Sequence, residues 1–471
     1  MERTGIRKTA LSLAVAGAFA GGVSQAHASA FALIEQNASG MGNSYAGAAA
    51  AAEDASTIFY NPAGMSLLPG GMQISAGLAL INLSAKFSDS GSTQTGTPLV
   101  PSTQAPLGGT GGNAGGLSAV PNFYFATDLA KDLKIGVGIS VPFGLKTEYE
   151  PDWMGRFQAI KSDIATFNVN PSVAYKVSED ASLGFGLNYQ HLNAELSNGV
   201  NFAAATYGGV LAQGGTPAQA QAAANLVAAA GQEGTASVKG GDSAWGYNFG
   251  AMFKVAPDTR MGVSYRSSIK YHVTGTVVFS GVPTATLNAI DPTGALAAAF
   301  SDGNVHLDIE LPASASVAVQ HKLDPKWTLL GDVTWTGWSK IEELKIVRDN
   351  GTTLGRTPEN FKNTWRVGAG ATYRYDDAWS IKMGVAYDQT PVNDTDRTAR
   401  LPDNDRIWLS VGGQYRLSKD GTLDFGYAHL FIKNAPINQP ANGASPFLTG
   451  QLTGTYKGSV DIFGAQFAYR F

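Results

Sequence analysis

The 471-residue sequence has no cysteine, so disulfides do not hold it together. Charge is scarce: Asp, Glu, Lys and Arg make up 15% of the chain, against about 25% in ordinary soluble domains. The net charge of −4 is small for this length and argues against a nucleic-acid partner. Beyond the first residues there is no long apolar run. The best candidate, 216–231, is broken by Gln219, Gln221 and Asn225, whereas a spanning helix needs about 20 apolar residues in a row. Enzyme signatures are also missing: there is no Gly-x-Ser-x-Gly elbow, phosphate loop or His-Glu-x-x-His zinc pattern. Gly136/Gly138, Gly184/Gly186 and Gly368/Gly370 lie in strand-like alternation with no helix behind them, which excludes dinucleotide loops. His191, His272, His306, His321 and His429 fall on separate segments. A Ser–His pair of a barrel lipase, assembled only in space, stays open as an alternative. The expectation is a protein that is not an enzyme and uses no metal or cofactor.

What the chain does have is 57 glycines, 17 tyrosines and 22 phenylalanines. It starts with Arg3, Arg7 and Lys8, an apolar run over 9–23, and Ala26-His27-Ala28. Charged start, apolar middle and small-x-small end predict a secretory signal over 1–28, cut before Ser29. From residue 72 onward apolar and polar residues alternate with period two. Trp365, Val367, Ala369, Ala371, Tyr373 and Tyr375 oppose Arg366, Gly368, Gly370, Thr372 and Arg374. Met261, Val263, Tyr265, Ile269, Tyr271 and Val273 are assigned to a lipid face, with Arg260, Arg266, Lys270 and His272 on the lumenal one.

Fourteen such stretches can be counted. They lie near 72–87, 120–127, 133–146, 163–176, 182–200, 243–255, 259–279, 304–321, 326–346, 363–375, 379–389, 405–417, 421–432 and 455–471. Short connections such as 128–132, 256–258 and 376–378 alternate with long ones such as 201–242 and 280–303. Short periplasmic turns, long outer loops and a terminal aromatic, Phe471, fit an all-β, 14-stranded antiparallel transmembrane β-barrel in the outer membrane of a Gram-negative bacterium. An even strand number puts both ends on the periplasmic side. The Gly-, Ala- and Ser-rich stretch before the first strand is then an N-terminal hatch inside the lumen. The expected division is signal 1–28, hatch 29–70 and barrel 71–471. A monomer in contact with outer-membrane lipid and lipopolysaccharide is expected.

Three features carry functional expectations. Loops 201–242 and 280–303 contain Leu226, Val227, Leu287, Ile290, Leu296 and Phe300. They form either a greasy landing site for a hydrophobic ligand or two loops packed on each other as a cap. A helix is expected from Pro217. The lumen mixes apolar residues of inward parity, Trp338, Trp408 and Leu330, with cations. Arg266, Lys270, Arg366 and Arg406 are candidates for a ligand carboxylate, with Asp308, Glu310 and Asp388 as competing ion-pair partners. The third strand, KIGVGISVPFGLKTEY, holds Pro142 and Gly144. Proline cannot donate a ladder hydrogen bond, so either the strand kinks there or it ends before Pro142. The small residues Gly136, Gly138 and Ser140 leave room beneath, and Phe143 lies in the same segment.

Four stretches resemble the FadL-type outer-membrane transporters of long-chain fatty acids and other hydrophobic compounds. These are SGMGNSYAG with Asn61-Pro62-Ala63; VPFGLKTEY at 141–149; WTGWSKIEELK with FKNTWRVGAGATYRYDDAW; and LPDNDRIWLSVG with the aromatic end. The resemblance implies a 14-stranded barrel closed by a hatch, here with Phe31, Gly40, Gly42 and the Asn61-Pro62-Ala63 tripeptide. It implies capture between the loops 201–242 and 280–303, transfer to an inner pocket, and lateral exit at the kinked third strand, near which the tripeptide sits. The family also includes members resembling importers of aromatic hydrocarbons, so the ligand stays open. A general polar-solute porin is the remaining alternative.

Overall fold

In the computed structural model, residues 30–96, 104–231, 233–440 and 446–471 are described. The predicted signal over 1–28 lies outside them.

Residues 30–70 fold first into short turns and one-turn helices, and the chain then enters a closed barrel. The strands are Gln73–Asp89, Leu117–Ala130, a split third strand (Leu133–Ser140 and Gly144–Glu148), Lys161–Lys176, Ala181–Asn201, Glu233–Ala256, a split seventh (Thr259–Arg266 and Ile269–Ser280), a split eighth (Gly303–Leu311 and Ser314–Lys322), Trp327–Thr336, Thr364–Arg374, Trp379–Asp388, Arg406–Arg416, Gly421–Ile432 and Leu452–Arg470. Each pairs antiparallel with the next. The fourteenth returns to the first, from Gln73 opposite Arg470 to Asp89 opposite Gly454. Closure leaves no edge strand, so every rung finds a partner around the ring except at specific defects.

Alternation sets the two faces. Leu183, Phe185, Leu187, Val367, Val385, Leu409 and Val411 are exposed outward as a lipid-facing belt. Aromatic pairs rim it: Trp327 with Tyr373 and Trp379 with Tyr415 by the short turns, and Tyr189 with Trp245 on the loop side. Inward positions are small or polar because the hatch needs the volume.

One expected face is wrong. Strand 7 is interrupted at Ser267–Ser268 and makes a half-turn there. Val263 and Tyr265 face out, but above the break Ile269, Tyr271 and Val273 are buried inside and Lys270 and His272 point outward. Strand 8 does the same at Pro312–Ala313. Asp308 and Glu310 are therefore outside too, paired with His272 at 2.7 Å and Lys270 at 3.7 Å. Above this level charge turns out and apolar groups turn in.

Loop 201–242 carries two helices, Phe202–Ala212 and Pro217–Gly231, with Pro217 in the first turn as expected. Asn201 caps the first, its side chain accepting from Ala204 N at 2.9 Å. The stretch expected as one long strand over 326–346 breaks instead at Trp338–Lys340, a single 3₁₀ turn that drives Trp338 into the lumen.

Candidate functional site

The hatch is seated by close backbone approach and by buried polar bonds. A Cβ on Gly384 would fall 2.1 Å from Asn43 C, one on Gly184 2.2 Å from Ala63 N, and one on Gly412 2.9 Å from Gly42 Cα. The barrel glycines are thus the floor on which Gly42 and Ala63 lie. Gly40 is equally crowded, a Cβ there meeting the Tyr45 ring at 2.9 Å. Asn61 Nδ2 donates to Ala49 O at 2.7 Å and to Ala251 O at 3.1 Å, while its Oδ1 caps the turn that Pro62 begins by accepting from Ala63 N. Asp54 accepts from Ser39 at 2.7 Å, Ser75 at 2.9 Å and Gln466 at 2.8 Å, tying the hatch to strands 1 and 14. Lys382 reaches in from strand 11 to Glu53 at 2.6 Å and to Ser39 O at 2.8 Å.

The third strand breaks inside the wall, not at its end. Up to Ile139 it pairs with strand 2; from Gly144 it pairs only with strand 4. Across the gap, strand 2 continues over 117–122 with strand 1 as its sole ladder partner, and Pro121 stands on that free edge. The hatch bonds to the defect itself. Leu33 N donates to Pro142 O, and Gly144 N to Phe31 O, both at 2.8 Å. Gln36 caps Val141 on both sides, accepting from its N at 3.0 Å and donating to its O at 2.7 Å. Phe143 N donates to Thr166 Oγ1 at 2.9 Å. Beneath, Gly136 and Gly138 make room for Ile58 and Tyr124. The segment 31–36, rather than the tripeptide, is what docks on the kink. The tripeptide packs on the wall at Gly184 and Gly250.

Two chambers flank the start of the hatch. The inner one, about 170 Å³, is bounded by Leu33, Ile34, Tyr45, Phe59, Tyr60 and Pro62 of the hatch, by Pro142 and Phe143 of the break, and by the charged groups Arg266, Asp332 and Asp388. The outer one, about 30 Å³, is bounded by Phe31, Leu145, Ile164, Ile341, Phe361 and Leu401, with Glu359 and Arg400 as its charged groups. Phe31 stands between them, edge-on to Trp338 at 4.8 Å and 6.0 Å from Phe143. Burial pushes the Glu359 carboxyl up to about 8, against the pull of Arg400. Burial likewise depresses Arg400, to about 10, with Glu359 opposing. This pair escaped the sequence because an acid and a base 41 residues apart on loops leave no periodic trace.

A protein-family model described as "Outer membrane protein transport protein (OMPP1/FadL/TodX)" matches residues 19–471. The chain belongs to this family. It is an outer-membrane β-barrel, as the family's description and the fold together require. Among relatives of the family, it is 28% identical over 477 residues to the long-chain fatty acid transport protein of Escherichia coli strain K12, covering all of both chains. It is 31% identical over 483 residues to putative outer membrane protein NMB0088 of Neisseria meningitidis serogroup B, again over all of both. The crystal structure of a Pseudomonas aeruginosa FadL homologue superposes with a TM-score of 0.81 at 23% identity, covering 94% of this chain and all of that one.

Of the four cations singled out from the sequence of this FadL-family chain, the structure places one in the inner chamber. Arg266 donates to Asn188 Oδ1 and to Phe59 O at 2.9 Å and lies 4.4 Å over the Phe59 ring, with no carboxylate bonded to it among the described residues. Arg366 is held by Asp332 at 3.3 Å and by Ser44 O. Arg406 is held by Asp403 at 2.5 Å. Lys270 is on the outside, as above.

The outer-loop residues are placed mostly against one another. Val227, Leu287 and Leu296 form a buried cluster with Phe202, and Ile290 and Phe300 pack half-buried on it. Leu226 alone of the six stands exposed. The two loops form a lid over the barrel mouth.

Proposed function

We propose that the chain is a passive outer-membrane importer of long-chain fatty acids or related hydrophobic molecules. Cargo is captured at the lid, whose solvent face offers Leu226, and enters the outer chamber. It displaces Phe31, moves to the inner chamber, and leaves sideways into lipid at Pro142. No reaction, cofactor or energy source is involved. The observation that carries the reading is the juxtaposition of the inner chamber, the hatch and the broken wall. A largely apolar chamber is closed below by the hatch and borders the one place where strands 2 and 3 part. A polar-solute porin would need an open aqueous bore there, and the hatch fills it.

Arg266 favours a carboxylate-bearing cargo over a bare hydrocarbon. A half-buried guanidinium without an acid partner carries part of the desolvation penalty of its charge. A carboxylate head bonded to its free N–H groups would relieve it. The test is uptake of radiolabelled oleate and of toluene by Gram-negative cells lacking their own transporter and expressing this chain. Arg266→Gln should slow oleate uptake by about tenfold, one lost charged hydrogen bond, and leave toluene uptake unchanged. Equal effects on both would remove the carboxylate from the reading.

A further inference from the structure

The wall has a second defect. Strands 7 and 8 keep one register below and above it: Ser314 lies opposite Arg266 and Leu311 opposite Ile269. The two rungs between, Ser268 with Pro312 and Ser267 with Ala313, are not made. Pro312 has no N–H to give. Ser267 stays with strand 6, donating to Tyr247 O at 2.9 Å while its Oγ accepts from Tyr247 N at 2.9 Å. Ala313 leans the other way, its carbonyl accepting from Gly337 N at 2.9 Å. Among the described residues no hydrogen bond joins 267–268 to 312–313. The strands part and rejoin around four residues, all small except the proline.

A proline in the wall does not by itself open it. At Pro171 the ladder between strands 4 and 5 also skips two residues. There Asn170 Nδ2 donates to Leu187 O at 2.7 Å and keeps the strands together. Among the described residues no side chain does this at Pro312. Unpaired backbone facing hydrocarbon is costly and is tolerated where it lines a cavity, and this gap does. Pro312, Ser314 and Arg266 bound the same inner chamber as Pro142 and Phe143. The two defects also stand at the same level. The lower pieces of strands 3 and 7 are each 8 residues long, counted from their short turns. Directly below the second gap, Val263, Tyr265 and Val317 face lipid.

We propose that the gap between strands 7 and 8 is a second lateral portal, through which an acyl or aryl chain passes between the inner chamber and the membrane on the side away from Pro142. The proposal rests on the reading that hydrophobic cargo occupies that chamber. It gives the chamber two side openings, so that blocking one leaves a route through the other.

The chain has no cysteine of its own, so a thiol pair can be placed cleanly. Ser268→Cys with Ala313→Cys, which keeps Pro312 in place, bridged by a short bis-methanethiosulfonate, draws the gap closed. In cells carrying also Pro142→Val and Gly144→Val, bridging should bring oleate uptake down to that of cells without the protein, and reductant should restore it. Uptake that is the same bridged and reduced would overturn the proposal. A second measurement does not depend on transport. Wild-type protein in lipid nanodiscs is irradiated with a diazirine-bearing stearate and the labelled peptides are identified. Label at 267–268 supports the portal, since Pro312 already lines the chamber; label confined to the chamber lining and the Pro142 side overturns it. Should wild-type cells take up no more oleate than empty ones, the transport reading fails, and the labelling still decides whether the gap admits an acyl chain.

Discussion

Glu35 shows how tightly single residues are set in the hatch. It is fully buried, and neither carboxylate oxygen has a hydrogen-bond partner among the described residues. Burial pushes its carboxyl from the ordinary 4.5 up to about 7, with its own backbone and Arg406 pulling the other way. A carboxyl raised in the folded state binds a proton more tightly than in the undocked chain. Docking therefore loses stability as pH rises from 4.5 towards 7, and the loss is complete above that. Glu35→Gln should resist protease entry into 30–70 better than wild type at about pH 9, and equally at about pH 4. An equal gain at both would place the effect in packing. Phe31 works by size: burying its ring contributes about 2–3 kcal/mol to holding the hatch against the kink. Legibility differs between these two. Phe31 was among the hatch residues that the family resemblance implied, while nothing in the order of residues marks Glu35 as buried rather than solvated.

The elements divide by how local their cause is. The helix from Pro217 was legible because proline at the first turn and an Ala-rich run act within the segment. That its apolar side chains meet Leu287 and Leu296 was one of two open readings, since docking depends on where a second loop lies. The lid has a direct test. Val227→Asp puts an unpaired charge at the centre of that cluster, a cost of about 3–5 kcal/mol. Proteinase K should then cut within 201–231, and oleate binding to whole cells should weaken; an intact loop with wild-type binding would mean the lid is not built on Val227. The split strands show the opposite limit. Pro142 marked a break because proline cannot pair, and a kink inside the strand was one of its two readings. The half-turn at Ser267–Ser268 left no mark, because Tyr265 and Ile269 are both apolar and of the same parity. Alternation records which residues share a face only while the strand does not rotate, and Lys270 was misassigned for that reason alone.

At the scale of the whole molecule, the count of fourteen strands was legible in full. Each crosses the same belt and is followed by a turn whose length tells inside from outside. The contacts between hatch and wall were not. Asp54 with Gln466, Lys382 with Glu53, and Gln36 with Val141 join residues far apart in the chain, and only closure of the barrel brings them together. The result is a cylinder with a stopper in its bore and defects in its side, so the way through for an apolar molecule runs across the wall. The most direct measurement is oleate uptake by cells expressing Pro142→Val with Gly144→Val, which supplies the missing N–H and fills the gap between strands 2 and 3. Uptake should fall to about one third of wild type, with cell-surface binding unchanged and the remainder leaving elsewhere. Uptake at the wild-type rate, with the variant shown to be folded in the membrane, would contradict lateral exit at the third strand.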